Sequence, residues 1–160
     1  MSPVRYRHLC AAATALLLAA TQAYAGTAEP VKECPPDQRL AAARELTAPP
    51  DEGAIREVLT YTDISGWRGV EGLALRIRRV TVKPGGYVPL HYHFDRPSVD
   101  YIVEGEIVEH NTFCAVPITH EVGDSSNRFG DYLGHWWQNQ TDHDVVLISA
   151  DVVPLENVNY

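Results

Sequence analysis

The chain has no G-x-S-x-G elbow, so a serine hydrolase triad lacks its usual frame. It has no glycine loop of the kind that cradles phosphates. It carries 13 Lys and Arg against 21 Asp and Glu, a formal charge of −8, and no basic stripe. Such a surface repels nucleic acid and anionic membranes, which argues against both as partners.

Long apolar runs are also missing, apart from one at the start. Arg5 and Arg7 precede an apolar run from Leu9 to Ala20, and Ala23-Tyr24-Ala25 fits a small-residue cleavage site. The run is short of the ~20 residues that span a bilayer, so a secretory signal peptide over residues 1–25 is the better reading than an anchor. Cys10 lies too early to be a lipid-carrying cysteine. Cleavage after Ala25 removes two arginines and no acid, moving the formal charge from −8 to −10. The expected product is a soluble periplasmic or secreted protein.

Cysteine is scarce, with three in the chain. Cleavage leaves Cys34 and Cys114. In an oxidising compartment a single disulfide between them is favoured over two free thiols. It would pin the N-terminal segment to the rest, by about 4–5 kcal/mol in the loop-closure estimate before strain.

A well-patterned helix is absent from the centre of the chain. Residues 26–53 are rich in Pro, Glu and Ala and read as an arm, with a short helix over Gln38–Leu46 between Pro35-Pro36 and Pro49-Pro50. Residues 54–160 read as one domain. Short β-type runs divided by turn signals follow: Ile55–Thr62, Leu73–Val82, Tyr87–His93, Val99–Val103, Glu106–His110, Ala115–Glu121, Tyr132–Trp137 and Val145–Val152. Lys83-Pro84-Gly85-Gly86 reads as a turn. The spacing predicts an all-β sandwich or barrel.

Within these runs His91 and His93 stand two apart, so a strand points them the same way, with Leu90 and Tyr92 opposite. Neutral imidazoles there suit Zn, Fe, Ni, Cu or Mn. On its own the pair fits a metal site and a polar barrel wall equally.

The flanking residues carry a resemblance. Gly85, His91, His93 and Gly105 match G-x5-H-x-H-x3,4-E-x6-G, and His135 and Asn139 match the H-x3-N end of a second motif. Over roughly Leu73 to Val152 the chain resembles the cupin superfamily. Its N-terminal cysteine, HYHFDRP and Cys-Ala-Val-Pro segments look like those of small exported bacterial cupins. The resemblance implies a single small β-barrel of jelly-roll type with the site inside, a divalent transition metal on His91, His93 and His135, and a small-molecule ligand or substrate. A homodimer paired through β-edges is common in the superfamily.

The chain departs from the motifs in two places. Ser98 stands where the first motif has its glutamate, often the carboxylate ligand. Asp124, Gly130 and Tyr132 stand where the second has Gly, Pro and Gly. Three histidines without the carboxylate are similar to the sites of thiol dioxygenases and some ring- or diketone-cleaving dioxygenases of the superfamily. Such a set can hold Fe(II) with room for substrate and O2, or a catalytic Zn with a water.

Asp100 shares the strand face of Ser98, so it should look inward as a ligand or acid–base group. The alternatives are a register shift or a salt bridge to Arg96. Asp95 reads as a turn residue. Trp137 shares parity with His135 and should wall the pocket. Tyr87 and Tyr132 are candidates for pocket hydroxyls. His110 and His120, either side of Cys114, read as surface histidines, and His143 as an exposed turn residue.

These readings leave three functions: an exported metalloenzyme on a small organic molecule, dioxygenase-like in its sharpest form; a small-ligand or metal-binding module without turnover; and a structural or stress-related dimer.

Overall fold

The computed structural model describes residues 33–159. The signal-peptide segment 1–25 lies outside them. Eight strands make the fold: β1 (Glu52–Asp63), β2 (Leu73–Tyr92), β3 (Ser98–Glu104), β4 (Ile107–Asn111), β5 (Ile118–His120), β6 (Ser125–Arg128), β7 (Gly134–Gln138) and β8 (Val145–Pro154). They form a nearly closed barrel in the order β5-β4-β7-β2-β8-β3-β6, with β1 on the free side of β2. The all-β barrel read from the sequence is the fold observed.

The Lys83–Gly86 segment is not a turn between two strands. It is a bend inside the 20-residue β2. The first half of β2 pairs with β8, from Leu73↔Pro154 to Val82↔Val145. The second half pairs with β7, with His91 opposite His135. The bend therefore carries β2 from the β8-β3-β6 wall to the β7-β4-β5 wall. Backbone packs tightly there: a Cβ on Gly86 would sit 2.8 Å from the Lys83 carbonyl and 2.9 Å from that of Glu52. Only glycine fits such an approach.

Side chains from both walls meet in an apolar cluster of Val80, Val82, Val88, Ile102, Ile107, Trp137, Val145 and Leu147. This fills one end of the barrel. A smaller cluster of Ala74, Val153 and Val158 closes the other. The site lies between the two.

The helix expected over Gln38–Leu46 does not form. A short 3-10 turn, Pro36–Gln38, is followed by extended chain. The segment spends its backbone groups on the barrel instead. Leu40 N–H donates to Phe113 O (2.9 Å), Arg44 N–H to Thr112 O (2.8 Å), and Ala115 N–H to Gln38 O (2.9 Å). A disulfide joins Cys34 to Cys114, with Cα atoms 5.7 Å apart. Cross-chain bonds of this kind outcompete the i→i−4 bonds of a short helix, which is marginal alone.

Candidate metal centre and its cavity

Strand register builds the site. His91 on β2 and His135 on β7 are direct cross-strand partners. His93 follows the end of β2, where its N–H donates to Leu133 O (2.9 Å) and its carbonyl accepts from Gly130 N–H (3.1 Å). The Tyr92 ring lies over Gly134, where an added Cβ would come within 2.7 Å of it. This glycine lets the two histidine-bearing strands close up.

One nitrogen from each of His91, His93 and His135 falls within 4.8 Å of the others. The Nε2 atoms of His93 and His135 are 3.0 Å apart, as are those of His135 and His91. The Nδ1 atoms all point away to acceptors. His91 Nδ1 donates to Pro89 O (2.9 Å), and His93 Nδ1 to Arg96 O (2.8 Å). His135 Nδ1 donates to Glu109 Oε1 (3.0 Å). A carbonyl oxygen only accepts, so the proton of each neutral ring sits on Nδ1 and the Nε2 lone pair faces the centre. Burial, then the neighbouring His135, lowers the pKa of His91 to about 2 and that of His93 to about 4. When the rings are neutral, three Nε2 lone pairs turn on one point. These donors fit a divalent transition metal bound through nitrogen.

Glu109, on β4, is the residue that the motifs did not bring to notice. It is fully buried and stands behind His135. It also accepts from His120 Nε2 (2.8 Å), Asn111 Nδ2 (3.1 Å) and Arg128 Nε (2.9 Å), and pairs with Arg128 Nη2. Burial pushes its pKa up. The bonds from His120 and His135 and the charge of Arg128 outweigh that and hold it well below the usual carboxylate range. Its parity with the inward Ile107 was the available signal. His120 is therefore not a surface histidine: it is fully buried, with its ring against Trp137. His110 is half-buried and stacks on Trp136 at 3.8 Å. His143 is exposed.

A cavity of about 680 Å3 opens in front of His91 and His93. Trp137 lines it and meets the His135 ring edge-on at 5.3 Å. Ser98 lines it too, with its hydroxyl 3.3 Å from His93 Nδ1, behind the ring rather than among the Nε2 atoms. Asp100 faces inward and is buried, but its carboxylate lies outside the three-nitrogen cluster. It pairs with Ser149 rather than Arg96, and burial raises its pKa. Tyr132 is exposed, and the Tyr87 hydroxyl accepts from Gln138 Nε2, so neither supplies the cavity with a hydroxyl. Asp95 is exposed in the loop after His93.

The cavity's other wall is polar. Successive rungs run Arg76–Asp151–Ser98–Arg128, Arg78–Ser149–Asp100–Ser126 and Val80–Leu147–Ile102 across β2, β8, β3 and β6. The arginines point in and Leu75 points out.

The solved structure of KdgF from Halomonas sp. aligns with 62% of the chain and 78% of its own, at 16% identity and a TM-score of 0.50. The likeness is one of fold. A sugar phosphate isomerase described as a cupin, from Silicibacter pomeroyi, aligns with 51% of this chain and 60% of its own, at 21% identity and a TM-score of 0.45. Among curated proteins, Germin-like protein 3-3 of Oryza sativa subsp. japonica is 31% identical over 70 residues, 44% of this chain. The match spans 29% of that relative's length. No family model matches the sequence.

Proposed function

We propose that this chain is an exported metalloprotein in which His91, His93 and His135 hold a divalent transition metal at the cavity floor and a small organic molecule binds above it. One observation carries the reading. All three Nδ1 atoms face acceptors, so three Nε2 atoms converge on one point at the cavity. Converging acceptors repel unless a cation neutralises them.

The chain's own residues do the positioning. The Pro89 and Arg96 carbonyls and the Glu109 carboxylate fix the tautomer and plane of each ring. Trp137 and Val88 give the substrate an apolar wall, and Asp100 places a buried acid across the cavity. Fe, Mn, Ni, Cu or Zn would supply Lewis acidity there, and Fe would add O2 chemistry. Dioxygenase-like turnover is the sharper form of the proposal, since three histidines without a carboxylate leave positions for substrate. A binder without turnover is the second reading, and Ser98 in the motif glutamate's place favours it.

The wider reading is an exported chain: a signal peptide over 1–25, an arm over 26–53 and a barrel over 54–160. The Cys34–Cys114 bridge supports an oxidising compartment. Among the described residues no helix is long and apolar enough to cross a membrane. Exposed Ile55, Leu59 and Tyr61 on β1 support a homodimer, which light scattering would show as twice the chain mass.

The test is elemental analysis of residues 26–160 purified without added metal or chelator, beside a His91→Ala variant. We expect near-stoichiometric metal that falls at least several-fold in the variant. No metal after reconstitution would overturn the metalloprotein. Metal without O2 uptake against a panel of small organic molecules would leave the binder.

A further inference from the structure

We infer that the cavity wall facing the histidines is a carboxylate site, and that the molecule this chain takes is a small organic anion held by Arg78 and Arg96. The inference rests on the cavity being the functional site.

Two arginines of the wall, Arg78 and Arg96, hold no acid of their own among the described residues. Asp151 is nearly inaccessible and already receives both prongs of Arg76, at 3.0 and 2.8 Å. Arg78 Nη2 must share the same oxygen, Oδ2, at 3.0 Å. Half-buried Arg78 therefore has no acid to itself. Arg76 spends a further prong on the Asn157 and Val158 carbonyls, 3.0 and 3.1 Å away. Arg78 has no such anchors, and its Nε is buried without a hydrogen-bond partner. A charged group short of partners inside the protein is costly, and an acceptor entering the cavity would complete the exposed part of its fork.

Arg96 adds a second free charge. It lines the same cavity on the loop after His93, and its charge bears on Arg78, His91 and His93. Its carbonyl serves His93, while among the described residues its side chain forms no ion pair. The other acids do not cancel these groups. Asp51 is paired with Arg56 at 2.8 Å. Asp95 is exposed. Asp100 is buried, lies one strand beyond Ser149, and burial raises its pKa. A planar carboxylate matches the fork of Arg78 and sets the rest of the molecule toward His91 and His93.

The test is an NMR titration of the disulfide-bonded chain, metal-free and Zn-loaded, following the Trp137 indole. The probes are acetate, propionate and benzoate, the neutral amide of each, and inorganic phosphate. We expect carboxylates to saturate in the metal-free chain and to bind roughly tenfold or more tightly than their amides. Arg78→Gln and Arg96→Gln should each weaken carboxylate binding by about tenfold and leave the amides unchanged. Arg79→Gln, an exposed arginine paired with Glu57, should change nothing. If Arg78→Gln does not fold, Arg96→Gln and Arg78→Lys decide. Equal binding of acids and amides, tighter binding of phosphate, or full carboxylate affinity in the arginine variants would overturn the inference. Zn content is measured separately. Zn without arginine-dependent carboxylate binding overturns this inference alone. Carboxylate binding without Zn overturns the metal site and leaves the inference standing.

Discussion

Glu109 touches no point at which the three Nε2 atoms converge, yet it sets what one of them can do. Its carboxylate takes the Nδ1 proton of His135 and is itself held by His120, Asn111 and Arg128. A histidine whose far nitrogen donates to an anion is a better electron donor at the near one, and its ring cannot turn. Glu109→Gln keeps the shape but loses the charge. It should weaken metal affinity by about 10–100-fold. It also leaves Arg128 without its partner, so folding must be monitored alongside. Equilibrium competition against a chromogenic chelator measures the affinity, and an unchanged constant in a folded variant would remove Glu109 from the site. The parity of His91 and His93 was legible because period two is strict in a strand. Glu109 was not, because its importance comes from β4 pairing with β7, and no local pattern states which strands will be neighbours.

At the scale of the element, β2 shows how polarity can invert. Arg76 and Arg78 take the inward face that Val80 and Val82 also occupy, while Leu75 is 41% exposed. The inversion is stable because β8 brings Asp151 opposite Arg76 in register. The Arg76–Asp151 pair is buried on both sides. A buried pair adds little over an apolar pair of equal volume, but removing one partner strands the other. Asp151→Asn should therefore destabilise by about 3–5 kcal/mol, read as a lower urea midpoint with an unchanged slope. A loss below about 1 kcal/mol would mean that the C-terminal carbonyls of Asn157 and Val158 satisfy Arg76 alone. Leu73–Val82 was legible as a strand, but not which of its faces was inside. The Lys83–Gly86 bend misled for a related reason, since Pro and two glycines signal a chain break equally well when the chain only bends. The arm's helix failed because its competitor, the Asn111–Ala115 backbone, lies some 70 residues away and leaves no local trace.

Over the whole molecule, acid should act on the site before it acts on the frame. In the metal-free chain the folded state keeps His91 near a pKa of about 2 and His93 near about 4, because burial and the adjacent His135 disfavour the charged ring. Unfolded histidine titrates near 6.5. Below that pH the unfolded chain takes up protons that the folded chain refuses, so stability falls as pH falls from about 6.5 toward the folded values. One such proton gives a slope of at most about 1.4 kcal/mol per pH unit. Glu109 has the opposite cause and the same direction. Its folded pKa is depressed, so its contribution is complete above the unfolded value near 4.3 and is lost as pH drops through the folded value. Acidification should therefore destabilise in two overlapping stages, the histidines from about pH 6.5 downward and the Glu109 network joining them below about pH 4.3. Urea midpoints of the chelator-treated chain at pH 7.5, 6.0, 5.0 and 4.0 would resolve them. A His91→Gln/His93→Gln variant should flatten the first stage and leave the second. Midpoints that stay level from pH 7.5 to 5.0 in the unaltered chain would mean that the cavity accepts a protonated imidazole without cost. The three-nitrogen centre would then have no need of a metal.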